Sequence, residues 1–444
     1  MDRNPKAPAY VRWVARTLEE EGYETWAVGG AIRDTLLGLP SGDWDLATRA
    51  TPKVVRRLFP RTVPVGIEHG TIGVLTRQGT LVEVTTFRKD VETFGRRAVV
   101  EFADTLAEDL SRRDFTVNAI AWHPIREEFQ DPFQGRQDLE DRILQTVGVP
   151  QERFAEDYLR VLRGLRFSAR YSFRIRQETW EALCAAKDRL GILSPERVRE
   201  ELMKILADGP RPSGALALYH VSGVLGALYP ELSAVAGCSR PGSEEDLWIH
   251  SLLLMDLIPD RRPLLRLMAL LHGLGVPENS GVSEEAQALR GRDRAAALMT
   301  RLRFSNAAIK AVTEAIHLGL EPPLGIAAPP ELRRWLHRAG PHRLAEVARI
   351  WFAKARLDRH RWGRDPQGVL GLVGRLRKEL QGGAPLRAEE LAVDGRDLIS
   401  LGLKPGPHFG EILEGLMERV LDEPTLNQRE ILLELVKETL SEKG

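Results

Sequence analysis

The sequence predicts an α+β head followed by an all-α remainder, and three observations carry this reading. Residues 1–140 mix an amphipathic helical segment with short β-branched runs closed by glycine-containing turns. Beyond them, apolar residues recur almost entirely at three- and four-residue spacing, punctuated by proline and glycine. The length of 444 residues exceeds what one compact core serves, so several domains are expected.

The elements follow in order. VRWVARTLEEEG reads as an amphipathic helix, and ETWAVGG, TIGVLTRQ and TLVEVTTF read as strands. From QERFAEDYLRVLRGLRFSARY the pattern is helical, with breaks such as DGPRPSG and AGPHR, and Gly382–Pro385 reads as a hinge before a last segment. No fixed-period repeat suggests a solenoid. The divisions expected are 1–140, 141–207, 208–380 and 381–444.

Composition bounds the class. Hydrophobic residues at 43% and charged residues at 28% are those of a globular protein. The N-terminal stretch lacks the apolar core of a signal peptide and no run suits a membrane helix, so a cytoplasmic protein is expected. Cys184 and Cys238 are too few for a disulfide framework or a cysteine zinc site and read as buried thiols. With 63 basic and 63 acidic residues the net charge is zero, so any RNA site must arise from local clusters of arginine.

The segment WAVGGAIRDTLLGLPSGDWDLAT concentrates the chemistry. Asp43 and Asp45 are separated by one residue, and in a strand such positions project to one face. Paired carboxylates suit Mg²⁺, a hard cation that bridges substrate phosphates to protein oxygens. Two such ions can activate a hydroxyl and stabilise departing pyrophosphate. Gly29 and Gly30 let the backbone approach a triphosphate, and Arg33 can add a charge-assisted bond. Either pair alone also fits a solvated turn; the combination at this spacing points to nucleotide chemistry.

The motifs GG, RD and DWD, then RRDFTVNAIA, DPFQGRQDL, EDYLRVLRGLRF and ERVREEL, stand in an order that resembles the bacterial and eukaryotic class of CCA-adding enzymes (class II tRNA nucleotidyltransferases) and related poly(A) polymerases, across residues 26–206. The resemblance implies a polymerase-β-like nucleotidyltransferase head over 1–140 with a five-stranded-type mixed sheet, a base-selecting neck over 141–207, an all-α body over 208–380 and a tRNA-binding tail over 381–444. Glu83, in TLVEVTTF, is the candidate third acid because it follows the DxD strand as an adjacent element of the sheet would, although a solvent-facing strand glutamate fits nearly as well. It assigns Arg112, Arg113, Asp114 and Asn118 to the incoming nucleotide, their charges meeting triphosphate and ribose oxygens while Phe115, Val117 and Ile120 pack inward. Asn118 also suits a cap or turn.

Within AEDYLRVLRGLRFSARY, Glu156, Arg160 and Arg163 fall at i, i+4 and i+7 of an expected helix, with Asp157 three residues before Arg160. An arginine can donate to the pairing edge of a base while a carboxylate accepts from its exocyclic amino group. Cytosine and adenine offer that combination; uracil and guanine place a donor where Arg160 would need an acceptor. The resemblance agrees, since the family carries its amino-acid template in EDxxR, with Asp157 and Arg160 selecting CTP and ATP and Glu156 orienting Arg160. Exposed salt bridges along a helix are the plain alternative.

The segment between Phe87 and Asp109 resembles the family's flexible loop, which favours an enzyme adding all three nucleotides or only the terminal A. Arg166, Arg170, Arg174 and Arg176 extend a basic strip suited to an acceptor stem. DLWIHSLLLMDLIP and LMALLHGLGVPEN resemble an HD-type phosphohydrolase domain, with His250 and His272 in place but Gly273 for the aspartate, Val276 for a lysine and Arg292 for a histidine. This reads as a degenerate scaffold in which both histidines are packed helix residues. Gly402 and Gly406 frame a turn in a tail suited to the T-arm. The expected activity is metal-dependent addition of CMP and AMP from CTP and ATP to the 3′ end of tRNA, with two Mg²⁺ ions held by Asp43 and Asp45, by a monomer with no membrane partner. An A-adding enzyme or poly(A) polymerase shares nearly every motif. A non-catalytic RNA-binding protein and a metal phosphohydrolase are the readings from other classes.

Overall fold

The computed structural model describes residues 4–94, 97–239, 244–276, 283–318, 322–362 and 366–442. The chain divides into two compact units, Met1–Ser233 and Ala234–Gly444.

The first unit opens with α1 (Ala9–Glu20), whose Val11, Val14, Ala15 and Leu18 recur at helical spacing and are buried. Then follow β1 (Thr25–Val28), α2 (Gly30–Leu36), β2 (Asp45–Thr48), α3 (Pro52–Leu58), β3 (Thr62–Gly66), β4 (Thr71–Leu75) and β5 (Leu81–Thr86). A hairpin of β6 (Arg88–Phe94) and β7 (Arg97–Phe102) leads to α4 (Leu106–Ser111) and to the short strands β8 (Ala121–Trp122) and β9 (Phe129–Gln130). The hairpin occupies the segment that the sequence reads as a flexible loop.

One sheet in the order β3-β4-β5-β2-β1-β8-β9 carries the unit. It is mixed: β2 and β5 run parallel, while the other neighbouring pairs are antiparallel. Seven strands replace the five expected. β8 and β9 contribute two residues each, too few for an alternating pattern to register in sequence.

The expected neck region, which lies within the first unit, contains α5 (Gly135–Asp141), β10 (Ile143–Leu144), α6 (Pro150–Glu156), α7 (Leu159–Tyr171), β11 (Arg174–Ile175), α8 (Gln177–Ala185) and α9 (Pro195–Ala207). Here the structure corrects the helix expected through AEDYLRVLRG. Asp157 is extended (φ −154°, ψ 103°) and separates α6 from α7. Its carboxylate accepts from the Leu159 amide at 3.0 Å, a local bond that competes with helix continuation.

The second unit is helical. Leu336, Trp351, Leu372, Leu398, Met417 and Leu432 share one buried core, so residues on both sides of Gly382–Pro385 pack together. Gly402 (φ 87°) and Gly406 lie in the turn between helices Gly395–Ser400 and His408–Asp422. Cys184 and Cys238 are partly exposed rather than buried.

Candidate active site

Asp45 opens β2 and stands in register with Glu83 on the parallel β5. Asp43 is exposed just before the strand, and Trp44 between them turns into the core, 6.2 Å from Trp122 between ring centroids. The strand begins at Asp45, so Asp43 falls outside its two-residue alternation, while the parallel pairing brings Glu83 beside Asp45 from a sequence distance that periodicity cannot bridge. Burial and then the Glu83 carboxylate raise the Asp45 carboxyl to about 6, with Arg113 opposing and Asp43 adding to the rise. Hard oxygen donors that repel one another in this way fit a divalent cation, whose charge removes the repulsion. Among the described residues no three acidic, histidine or cysteine side chains converge tightly enough to hold an ion without moving.

Gly29 is held at φ 77°, a conformation that favours glycine, and a Cβ there lies 3.4 Å from Arg113 Nη1 and 3.5 Å from Asp45 Oδ2. The Gly29–Gly30 backbone, the acid cluster and Arg113 therefore meet at one wall. They border a cavity of about 590 Å³, also lined by Arg33, Arg112, Asp114, Asn118, Asp157, Arg160 and Arg163. Of the predicted site residues, Asp43 and Glu156 are not on that lining. Asp43 lies two residues before β2, and Glu156 is bonded to Arg160, which does line the cavity.

α4 supplies a residue that sequence inspection passes over. Asp109 is 1% exposed and accepts from Arg112 Nε at 3.2 Å and from Arg113 Nη2 at 3.1 Å. Burial acts to raise its carboxyl, yet the two guanidinium groups outweigh burial and hold it below the usual range. Arg113 Nε is buried without a hydrogen-bond partner, so this guanidinium keeps donor capacity beside Gly29. The DLSRRD spacing was the available signal, since i,i+3 and i,i+4 pairs meet on a helix. Replacing Asp109 by Asn is expected to raise KM for every nucleoside triphosphate about 20-fold, within the roughly 1.5–3 kcal/mol of a charge-assisted bond, without changing the preference among bases. Steady-state kinetics with each triphosphate check this, and a changed base preference contradicts it.

Several predicted phosphate and nucleotide contacts are committed to one another. Arg33, 6% exposed, donates to Asp34 at 2.8 Å, to Asn118 Oδ1 at 2.6 Å and to the Tyr171 hydroxyl at 2.6 Å. Its guanidinium lies 4.5 Å from the Tyr171 ring centroid and 5.0 Å from that of Phe167. Asn118 in turn donates to Asp114 Oδ1 at 2.9 Å, and Arg163 donates to Asp114 Oδ2 at 2.7 Å. Burial acts to raise Asp114, but Arg163, Asn118 and the Phe115 amide together hold it at about 2. This chain ties the head to α7 and fixes the floor of the cavity.

The residues expected to read the base, Asp157 and Arg160, are also held. Arg160 donates to the Arg153 carbonyl at 2.9 Å, to Glu156 and to the Arg112 carbonyl at 3.0 Å. Arg197 on α9, which sequence reasoning missed, donates to Asp157 at 3.1 and 2.7 Å. Arg166 does not join an exposed basic strip: it is 7% exposed and paired with Glu201 at 2.8 Å and Asp208 at 3.3 Å. Arg170 pairs with Asp208 as well, while Arg174 and Arg176 are exposed.

In the second unit, His250 is fully buried with Nδ1 3.1 Å from Glu245, and its ring centroid lies 5.6 Å from that of His272. A Cβ on Gly273 meets the Leu247 side chain at 2.9 Å, so leucine fills the space that a carboxylate needs.

The sequence matches the model of the poly A polymerase head domain over residues 25–145, that of "Probable RNA and SrmB- binding site of polymerase A" over 172–235, and that of tRNA nucleotidyltransferase domain 2 over 386–436. The CCA-adding enzyme of Limosilactobacillus reuteri is 33% identical over 436 residues, covering 97% of this chain and 96% of that protein. The chain belongs to the CCA-adding enzyme family. Its fold agrees: the crystal structure of the Bacillus stearothermophilus CCA-adding enzyme in complex with CTP superposes with a TM-score of 0.73 at 30% identity, covering 98% of both chains. The CCA-adding enzyme of Anoxybacillus flavithermus is 48% identical over 222 residues, and that alignment spans 50% of this chain and 55% of the relative. For the Geobacillus kaustophilus enzyme, 40% identical, the spans are 57% and 64%. Nucleotidyltransferases of this family use divalent metals. No described helix is long and apolar enough to cross a membrane.

Proposed function

We propose that the protein adds CMP and AMP from CTP and ATP to the 3′ end of tRNA, releasing pyrophosphate. The observation that carries this reading is one cavity bordered by the Asp45–Glu83 acid pair, the Gly29–Gly30 backbone and the Asp157–Arg160 pair. Asp43 and Asp45, with Glu83 in support, would hold two Mg²⁺ ions, whose bound charge would supply stabilisation of the α-phosphate and a lowered pKa for the attacking hydroxyl. Gly29, Gly30, Arg112 and Arg113 bind the triphosphate, with Arg33 bracing the loop beneath it. Asn118 and Asp114 position Arg163 and the floor under the ribose. Asp157 and Arg160 read the base, with Glu156 orienting Arg160. The neck over 141–207 thus selects the nucleotide, while the body over 208–380 and tail over 381–444 carry the acceptor stem and T-arm of tRNA. The protein works as a cytoplasmic monomer.

The deciding experiment offers tRNA ending at the discriminator base, after C, or after CC, with each nucleoside triphosphate in turn. C addition to the first two and A addition to the third are expected. Addition to the CC-ended tRNA alone assigns the A-adding activity instead, and no addition to any acceptor overturns the reading.

A further inference from the structure

We infer that Thr71 and Thr85 form the subsite for the terminal ribose of the acceptor RNA, on the flank of the acid cluster opposite the triphosphate. This rests on the functional reading above and extends it to the second substrate. Both threonines line the same cavity as Asp45 and Glu83, and nothing in the nucleotide-binding set uses them.

The sheet order dictates the placement. Neighbouring strands lie roughly 4.8 Å apart, and β1, β2, β5 and β4 succeed one another across the site. Gly29 follows β1, Asp45 opens β2, Glu83 stands beside it on β5, and Thr71 opens β4. Thr85 is two residues beyond Glu83 on the same strand, so both side chains project to one face. Thr71 is its register partner across β4, and the two hydroxyls lie 3.0 Å apart. The acids are therefore flanked by glycines and Arg113 on one side and by a hydroxyl pair on the other.

Nucleotidyl transfer proceeds in line: the bond from the 3′-oxygen to the α-phosphorus forms as the bond to pyrophosphate breaks, and the hydroxyl proton passes to the acid cluster. The attacking oxygen must therefore stand opposite the leaving group. With pyrophosphate departing toward Gly29, Gly30 and Arg113, the 3′-hydroxyl comes from the β5–β4 flank. A ribose there offers a vicinal diol, one hydroxyl to react and one to bind. Two adjacent threonine hydroxyls, each a donor and an acceptor, complement the hydroxyl that does not react.

The test uses full-length enzyme, CC-ended tRNA and ATP, with Thr71→Val, Thr85→Val, the double variant and Thr85→Ser. Valine keeps the shape and removes the hydroxyl, and serine restores it. Each valine is expected to raise KM for tRNA on the order of three- to tenfold, the worth of one hydrogen bond. KM for ATP and kcat stay within about twofold, and Thr85→Ser stays near wild type. A tRNA whose terminal nucleotide lacks the 2′-hydroxyl costs wild type a similar factor and costs the double variant nothing more. An unchanged KM for tRNA in the double variant of an active enzyme overturns the subsite alone, as does an equal rise in both KM values. An inactive wild type overturns the subsite together with the functional reading beneath it.

Discussion

Replacing Asp45 by Asn is expected to lower kcat by at least about a thousandfold, because the variant keeps the side-chain shape and removes the charge proposed to hold a catalytic cation, worth several kcal/mol in the transition state. The same substitution is expected to stabilise the metal-free fold. Asp45 has its carboxyl raised from 3.8 to about 6 by burial, Glu83 and Asp43. Between those values the folded protein binds more protons than the unfolded chain, so this group costs stability increasingly as pH rises from about 4 through 6. Asparagine removes that cost, which is of the order of a few kcal/mol at neutral pH. Thermal melts with chelator should place Asp45→Asn above wild type at pH 8, with the gap narrowing at pH 5. Single-turnover assays of ATP addition measure the kinetic half. A variant that retains a tenth of wild-type kcat, or that melts below wild type at pH 8, refutes this account of the site.

That an activity-destroying change stabilises the protein follows from how the acids are assembled. Like charges have been gathered where Arg113 alone opposes them among the groups acting on Asp45. Such local conflict between folding and charge is the usual mark of a functional site.

Asp45 was legible in sequence as half of a DxD, but the two-residue period does not extend to Asp43, which precedes the strand. Glu83 was legible as a candidate only, since the parallel pairing of β2 with β5 is a long-range event that no local pattern encodes. The amphipathic face of α1 could be read directly, whereas β8 and β9 are too short to leave a periodic trace. The EDYLR segment misled in one respect. Its residues have the spacing of a continuous helix, but the carboxylate of Asp157 bonds the chain two residues ahead and turns it. Arg33 and Arg166 illustrate a second limit. Sequence shows that an arginine is present, not whether its donors face a ligand or a buried carboxylate such as Glu201.

The break at Asp157 bears on selectivity. A carboxylate inside a helix would lie on its surface beside Arg160; at the bend it projects from between two helices and is clasped by Arg197. Arg160 is fixed by carbonyls from both the neck and the head, so its remaining donor capacity has a defined direction. Base reading by a prearranged pair loses little entropy on binding and penalises a mismatched edge strongly. Arg160→Ala is therefore expected to lower the ratio of kcat/KM for CTP over UTP on the order of 10- to 100-fold, the worth of one well-formed base contact. The loss should fall mainly on CTP and ATP, whose pairing-edge ring nitrogen is an acceptor where that of uracil or guanine carries a proton. Competition assays with mixed triphosphates on a C-accepting tRNA measure it. Equal losses for CTP and UTP would make Arg160 a brace between head and neck with no part in reading bases. Asp109 differs, because it holds Arg112 and Arg113, the arginines proposed for the phosphates that all four triphosphates share. One variant should change which nucleotide is chosen, the other only how tightly any nucleotide is held.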